Sequence, residues 1–210
     1  MAGADPSIKN LIFDLGGVIL DLSVEHTLQA FADLAGRDKE EVENLFHTLP
    51  EFPLYEKGQL TDGAFRDFVR ETLSIRVQDD TLDAAWNAML RGIPKVKLEL
   101  LLQLKSRYRV FLLSNTNNIH LQHVNTRMMP SVSGENSLDP YFHRAYYSHL
   151  MQKRKPDAEI FDQVVTENNL NPAYTLFLDD NASNIEGAKR LGIQTVHVTS
   201  PDLVLTYFHG

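Results

Sequence analysis

The chain has no cysteine among its 210 residues, which excludes disulfides, thiolate metal sites and a cysteine nucleophile. It also lacks any apolar run long enough to span a bilayer, and no charged-then-apolar leader opens it. Basic residues are in the minority: 20 Lys and Arg against 28 Asp and Glu leave a formal charge of −8. That balance speaks against a nucleic-acid surface, which needs a basic stripe. A small anionic substrate stays open, because a lysine, a metal ion or helix amino ends make a locally positive pocket in an acidic protein. Internal repeats and low-complexity tracts are missing too. With 43% hydrophobic and 23% charged residues, the composition supports a packed core for one domain with an insertion, or two small domains. The expectation is a soluble, cytoplasmic protein with neither membrane nor nucleic-acid partner, whose oligomeric state the sequence does not address. Residues 1–7 read as a flexible start.

The most informative segment is Lys9 to Leu20, KNLIFDLGGVIL. An apolar run delivers one carboxylate, Asp14, at its end, and Gly16-Gly17 follow at once. A buried parallel strand presents a reactive side chain in this way at its carboxyl edge, where open α/β sheets place their ligands. Read alone, Asp14 could equally close a turn. Its company farther along decides the matter.

After this strand, Val24 to Leu90 reads as helical. Val24, Leu28, Phe31, Leu34 and Ala35 repeat at helical spacing and stop at Gly36. Asp38 looks like the N-cap of a second helix carrying Val42, Leu45 and Phe46, and Thr61 like that of a third carrying Phe65, Phe68 and Val69. A fourth runs from Asp80 through Leu82, Trp86 and Leu90. Together they predict a small helical bundle. From Pro94 the pattern changes to strands alternating with helices. A helix over Val96 to Leu104 precedes a strand, Val110 to Leu113, that ends at Ser114-Asn115-Thr116-Asn117. Met128 to Pro140 reads as loop. A short strand over Ala145 to Ser148, a helix over Asp157 to Asn168 and a strand over Thr175 to Leu178 follow, then a helix over Ile185 to Leu191 and a strand over Gln194 to Val198. The fold class is α/β: a doubly wound parallel sheet, with a helical bundle inserted after the first strand.

Asp14, Ser114, Lys155 and Asp179-Asp180 lie at or just beyond the ends of these strands, on the edge where a parallel sheet brings distant residues together. A carboxylate, a hydroxyl, an ammonium and a carboxylate pair are what phosphoryl transfer through an aspartyl-phosphate needs. Asp14 is the candidate nucleophile. Ser114 is a donor to a phosphate oxygen, and Lys155 offsets charge. Asp180 with Asp14 is the candidate Mg²⁺ site, since this hard cation takes one or two carboxylates plus phosphate and water.

Phe13-Asp14-Leu15-Gly16-Gly17-Val18, Leu113-Ser114-Asn115-Thr116, Lys155-Pro156 and Phe177-Leu178-Asp179-Asp180-Asn181-Ala182-Ser183-Asn184 resemble, in that order, the four motifs of the haloacid dehalogenase-like hydrolase superfamily. The branch is the one with a helical cap inserted after the first motif. The resemblance runs from about Asn10 to Val198. It implies a Rossmann-like core over 8–20 and 94–210 and a cap over 21–93. It further implies Asp14 as nucleophile, Ser114 and Asn115 as phosphate contacts, and Lys155 as charge stabiliser. Asp180 and the Gly16 carbonyl would join Asp14 as metal ligands, with Asp179 and Asn184 beside the metal. The substrate would be a small phosphorylated metabolite; relatives with Asp-Leu-Gly in the first motif include enzymes acting on sugar phosphates.

The chain departs from this pattern at Gly16, where phosphatases of the superfamily usually carry a second aspartate as acid and base. Such help is worth about 10²–10⁴ in rate. Its loss fits a substrate that needs little leaving-group protonation, such as an anomeric sugar phosphate, or a proton supplied by water or substrate. The alternative is a phosphate- or partner-binding protein with weak or no turnover. A 2-haloacid dehalogenase also lacks this acid, but needs no metal, so Asp179-Asp180 argue against it. Gln152 stands where glycine is common. Asp21, near the join with the bundle, is a weak candidate acid that more often holds a turn. The eight histidines, His26, His47, His120, His123, His143, His149, His197 and His209, form no metal-ligand grouping, and the spacing of His120 and His123 favours packed or solvated rings over a zinc pair. Phe52, Tyr55, Phe65, Phe68 and Trp86 read as bundle core.

Overall fold

The computed structural model describes residues 5–46 and 49–209. Residues 1–4 of the expected flexible start, and His47, lie outside the described residues. From the amino end run β1 (Asn10–Phe13), β2 (Asp21–Leu22), then helices α1 (Val24–Ala35), α2 (Lys39–Phe46), α3 (Glu51–Glu56), α4 (Asp62–Leu73) and α5 (Asp79–Asn87), and β3 (Leu90–Gly92). The second part comprises α6 (Lys95–Lys105), β4 (Arg109–Ser114), α7 (Asn118–His123), α8 (Met129–Val132), β5 (Arg144–Tyr147), α9 (Ser148–Met151) and α10 (Ala158–Glu167). It closes with β6 (Thr175–Asp179), α11 (Ala182–Lys189), β7 (Gln194–His197) and α12 (Leu203–His209).

The central sheet has the order β5–β4–β1–β6–β7, and all its pairings are parallel. Its strands are apolar on both faces because both are covered. Leu11, Phe13, Leu112 and Leu178 pack into one cluster, while Ile12, Phe111, Leu113 and Phe177 pack into the other. Register sets the functional edge: Phe13 pairs with Leu112 and with Leu178, so the next residue, Asp14, lies level with Leu113 and Asp179.

The helices between β2 and β3 build a separate cluster around Phe31, Val42, Tyr55, Phe65, Val69 and Leu82, joined by Ile119 from α7. Tyr55 stacks on Phe65 with ring centroids 4.1 Å apart. Thr61 caps α4 by accepting a hydrogen bond from Ala64 N, and Gly36 ends α1 in the left-handed conformation, as their positions predict. The bundle joins the rest through β2 and β3, which pair antiparallel.

Several elements differ from the expectation. The β2–β3 ribbon falls within and beside a stretch expected to be helical; two- and three-residue strands have no periodicity to read. Helix α3 was not expected because it contains Pro53, which a first turn tolerates since its N–H has no partner there. Part of the expected loop at 128–140 is helical: α8 carries Pro130 at its amino end. Helix α11 starts at Ala182 rather than Ile185, because Asn181 Oδ1 accepts from Ser183 N and Asn184 N. The third strand of the sheet ends one residue earlier than expected, where Ser148 turns into α9. Among the described residues, no helix is long and apolar enough to cross a membrane.

Candidate active site

Asp14, Ser114, Lys155 and Asp179-Asp180 converge at the carboxyl edge of β1, β4 and β6. Lys155 is fully buried and holds the group together. Its Nζ lies 2.8 Å from Asp14 Oδ1 and 2.7 Å from Asp179 Oδ2, and donates to the Leu113 carbonyl at 2.8 Å. Asp14 Oδ1 also accepts from Leu15 N at 2.7 Å, which fixes the carboxylate's orientation. Asp179 is saturated from the other side by Asn184 Nδ2, 3.0 Å from Oδ1, and by Asn181 N at 2.8 Å. Burial pushes the Asp14 carboxyl above its ordinary range, opposed by the Lys155 ammonium and reinforced by Asp179. Burial works against the Lys155 charge, but Asp14 and Asp179 outweigh it and raise its pKa. Asp180, which is exposed, is raised by partial desolvation and by its neighbour Asp179.

Asp14, Asp179 and Asp180 each offer an oxygen within a sphere where all lie within 4.8 Å of one another. Three carboxylates face one ammonium, so a divalent cation would restore the balance, and the donors are all oxygen, which is what Mg²⁺ takes. Gly17 shows how closely the first-motif backbone approaches this cluster. Its φ is +70°, and a Cβ there would lie 2.1 Å from Asp180 Oδ2. Gly16, the other glycine of the pair, lines the same cavity, and a Cβ on it would meet Leu22 Cδ1 at 2.5 Å.

Asn115 lines the chamber, and its side chain is engaged within the protein. Its Nδ2 donates to the Lys155 carbonyl and its Oδ1 accepts from Lys155 N, both at 2.9 Å, so the amide clamps the lysine's own backbone. Ser148 does the same for the neighbouring loop: its Oγ accepts from Thr116 N at 2.9 Å and donates to Thr116 O at 3.0 Å. Gln152 adopts φ 56°, the left-handed conformation that explains why glycine suits this place before Lys155. Asp21 lies away from the reacting edge and accepts from the buried Lys97 Nζ at 2.9 Å.

A chamber of about 410 Å³ opens above Asp14 and Ser114 and is roofed by bundle residues including Trp86, Met89 and Glu56. Three wall features were not legible from sequence. Arg154 pairs with Glu56 of α3 at 2.8 Å. Asn117 Oδ1 accepts from His120 N at 3.0 Å and from Trp86 Nε1 at 3.4 Å. His120 stacks on Trp86 with centroids 4.7 Å apart and an interplanar angle of 12°. Trp86 thus serves the bundle core and the chamber at once. The remaining signal, a histidine three residues after a helix cap, has no meaning until α5 and α7 are docked.

Residues 8–192 match the haloacid dehalogenase-like hydrolase family. The chain is 33% identical over 189 residues to a D-ribitol-5-phosphate phosphatase of Bacteroides thetaiotaomicron, covering 90% of each protein. A haloacid dehalogenase family enzyme from the same organism, solved in complex with magnesium and inorganic phosphate, is 39% identical with a TM-score of 0.82, over 90% of this chain and 93% of that one. A structure from Porphyromonas gingivalis, described as a predicted hydrolase of the same family, is 29% identical with a TM-score of 0.82, over 93% and 91% of the two chains.

Proposed function

The chain belongs to the haloacid dehalogenase-like hydrolase family, and on that premise we propose that it is a Mg²⁺-dependent phosphatase of small phosphorylated metabolites, sugar or polyol phosphates among them. The observation that carries this reading is Lys155 Nζ bound to both Asp14 and Asp179 beneath a chamber that Asp14 and Asp180 line. The similarity to a D-ribitol-5-phosphate phosphatase supports the substrate class.

In this reading the Asp14 carboxylate attacks phosphorus, the ester oxygen leaves as an alcohol, and water then hydrolyses the aspartyl-phosphate to free phosphate. Lys155 offsets charge on the nucleophile and the phosphoryl oxygens. Ser114 Oγ and the main-chain N–H of Asn115 bind those oxygens, while the Asn115 side chain holds Lys155 in place. Asp14, Asp180 and the Gly16 carbonyl would hold Mg²⁺, with Asp179 and Asn184 behind them. When bound, the ion supplies positive charge against the phosphoryl oxygens as a Lewis acid. Residues 8–20 and 94–210 act as the hydrolase core, and 21–93 as a cap that excludes bulk water and meets the leaving group.

Gly16 supplies no proton, and Leu22 fills the space beside it. D-Ribitol 5-phosphate is an ester of a primary alcohol, whose leaving oxygen needs protonation. For a substrate of this kind water or a substrate hydroxyl would serve as the donor, whereas an anomeric sugar phosphate needs less help. A cytoplasmic location accords with a cysteine-free chain acting on small metabolites.

The reading is tested by assaying phosphate esters with Mg²⁺, repeated with chelator and with Asp14→Asn. Phosphate release that both treatments abolish is expected. Ligand binding with no turnover of any ester would replace it by the phosphate-binding alternative. Chelator-resistant halide release from 2-haloacids would replace it by a dehalogenase.

A further inference from the structure

Resting on the phosphatase reading, we propose that His120 is a specificity-determining residue that binds a hydroxyl group of the substrate's leaving alcohol, through Nε2 acting as a hydrogen-bond acceptor. Several of the chamber's polar wall groups already have partners. Arg154 is bound to Glu56, Asn115 to Lys155, and Asn117 to His120 N and Trp86. His120 Nε2 is different: it is buried and bonded to nothing in the protein, and of the side chains in that condition among the described residues, only His120 lines the chamber. A buried polar atom without a partner is costly, and since His120 lines the chamber a ligand bound there is placed to supply the missing bond as its binding displaces the packing over Nε2.

The direction of that bond follows from the other ring nitrogen. His120 Nδ1 lies 2.9 Å from Asn87 Oδ1. A carbonyl oxygen only accepts, so Nδ1 carries the proton and Nε2 presents a lone pair. Burial keeps the ring neutral well into acid, so Nε2 is an acceptor and not a source of protons. A phosphate oxygen has no proton to give at neutral pH, whereas a hydroxyl does. The ligand chemistry is therefore an alcohol group beyond the ester, as in a polyol or sugar phosphate. Stacking on Trp86 and the Asn87 bond hold the ring in one orientation. The atom is consequently pre-placed, and the substrate does not have to order it.

The test compares D-ribitol 5-phosphate with butyl phosphate, which has the ester but no hydroxyl, using the full-length enzyme with Mg²⁺. His120→Phe keeps the stack and removes the acceptor; His120→Gln restores a carbonyl oxygen. We expect kcat/KM for the polyol ester to fall about 10-fold in His120→Phe, mainly through KM, with partial recovery in His120→Gln. Butyl phosphate should change by less than about 2-fold. Equal loss on both esters, or no loss on either, overturns the proposal. Should the variants not fold, the wild-type enzyme alone decides: it must prefer the hydroxylated ester by about 10-fold or more, and no preference overturns the assignment. Should the wild type hydrolyse neither ester, the phosphatase reading fails separately. Calorimetric binding of the same two esters to wild type and His120→Phe then decides the fate of Nε2, on the same selective loss.

Discussion

Leu22 occupies the space that a side chain on Gly16 would need: a Cβ at residue 16 would stand 2.5 Å from Leu22 Cδ1. The missing acid and the leucine of β2 are thus two sides of one packing arrangement. The contact involves the far end of a leucine that is itself 40% exposed, so it can yield.

The first prediction follows. Gly16→Asp alone should give a small gain in turnover of an alkyl phosphate, because the new carboxylate must displace Leu22. Gly16→Asp with Leu22→Ala should give a larger gain, towards the ~10²-fold end of general acid catalysis. A sugar 1-phosphate should gain little in either variant. Steady-state kinetics on the two esters settle it, and equal gains on both would show that leaving-group protonation is not what the chain lacks.

Lys155→Met should abolish turnover and destabilise the fold. It leaves Asp14 and the fully buried Asp179 facing each other without their common cation, and breaking a buried pair costs roughly 3–5 kcal/mol. Urea denaturation of the variant against wild type measures the loss. A change below about 1 kcal/mol would mean that the carboxylates take up protons and need no ammonium.

Mg²⁺ should raise the melting temperature of the wild-type protein, since binding to the folded state alone stabilises it by mass action. Gly17→Ala should remove most of that increment, because its Cβ falls on the Asp180 carboxylate and its φ is that of glycine. Thermal melts over a Mg²⁺ titration, with Ca²⁺ as a comparison, provide the readout.

His120 makes acid stability predictable. Burial lowers its pKa from 6.5 to about 3, so the unfolded chain takes up a proton at a pH where the folded protein does not. Its contribution is fully present above pH 6.5 and declines as pH falls towards 3. At pH 5 the loss is about 2 kcal/mol. His120→Phe should flatten this part of the stability–pH curve, measured by urea denaturation between pH 5 and 7.5.

Asp21→Asn should cost about 1–3 kcal/mol while leaving the reacting groups untouched. It removes the charge opposite Lys97, whose side chain is 1% exposed; Asp21 itself is 39% exposed, which keeps the cost below that of a fully buried pair. Denaturation together with kcat/KM distinguishes this from a role as acid, which would lower turnover more than stability.

The sheet was legible because each central strand is a short apolar run, covered on both faces and closed by a polar residue. Asp14, Ser114 and Asp179 stood out for the same reason: they are the first polar positions after such runs. Lys155 was legible from its place after the third run. What could not be read depends on docking. Arg154 and Glu56 are 98 positions apart, and nothing in either neighbourhood announces the other. His120 gains meaning only when Trp86 and Asn87 of α5 lie against it. Asn115 shows the opposite case, in which the residue type and place were legible but the side chain serves its neighbour's backbone. Helix α12, with Val204 fully buried, lay beyond the last strand and offered only a short apolar turn.

Both passages of the chain between sheet and bundle run side by side through β2 and β3, and one ribbon is a pivot with a single easy axis. A bundle held in this way would turn about that ribbon, much as a door turns on one post, and would not slide freely along the sheet edge. Asp21 of that ribbon is tied to Lys97 in α6, so the post itself is fixed to the frame. The bundle is also tied across the opening by the ion pairs Arg154–Glu56 and Lys57–Asp157 and by contacts of Trp86, Asn87 and Asp62 with α7 and its cap, and added salt, by weakening the two ion pairs, should admit and release substrate faster.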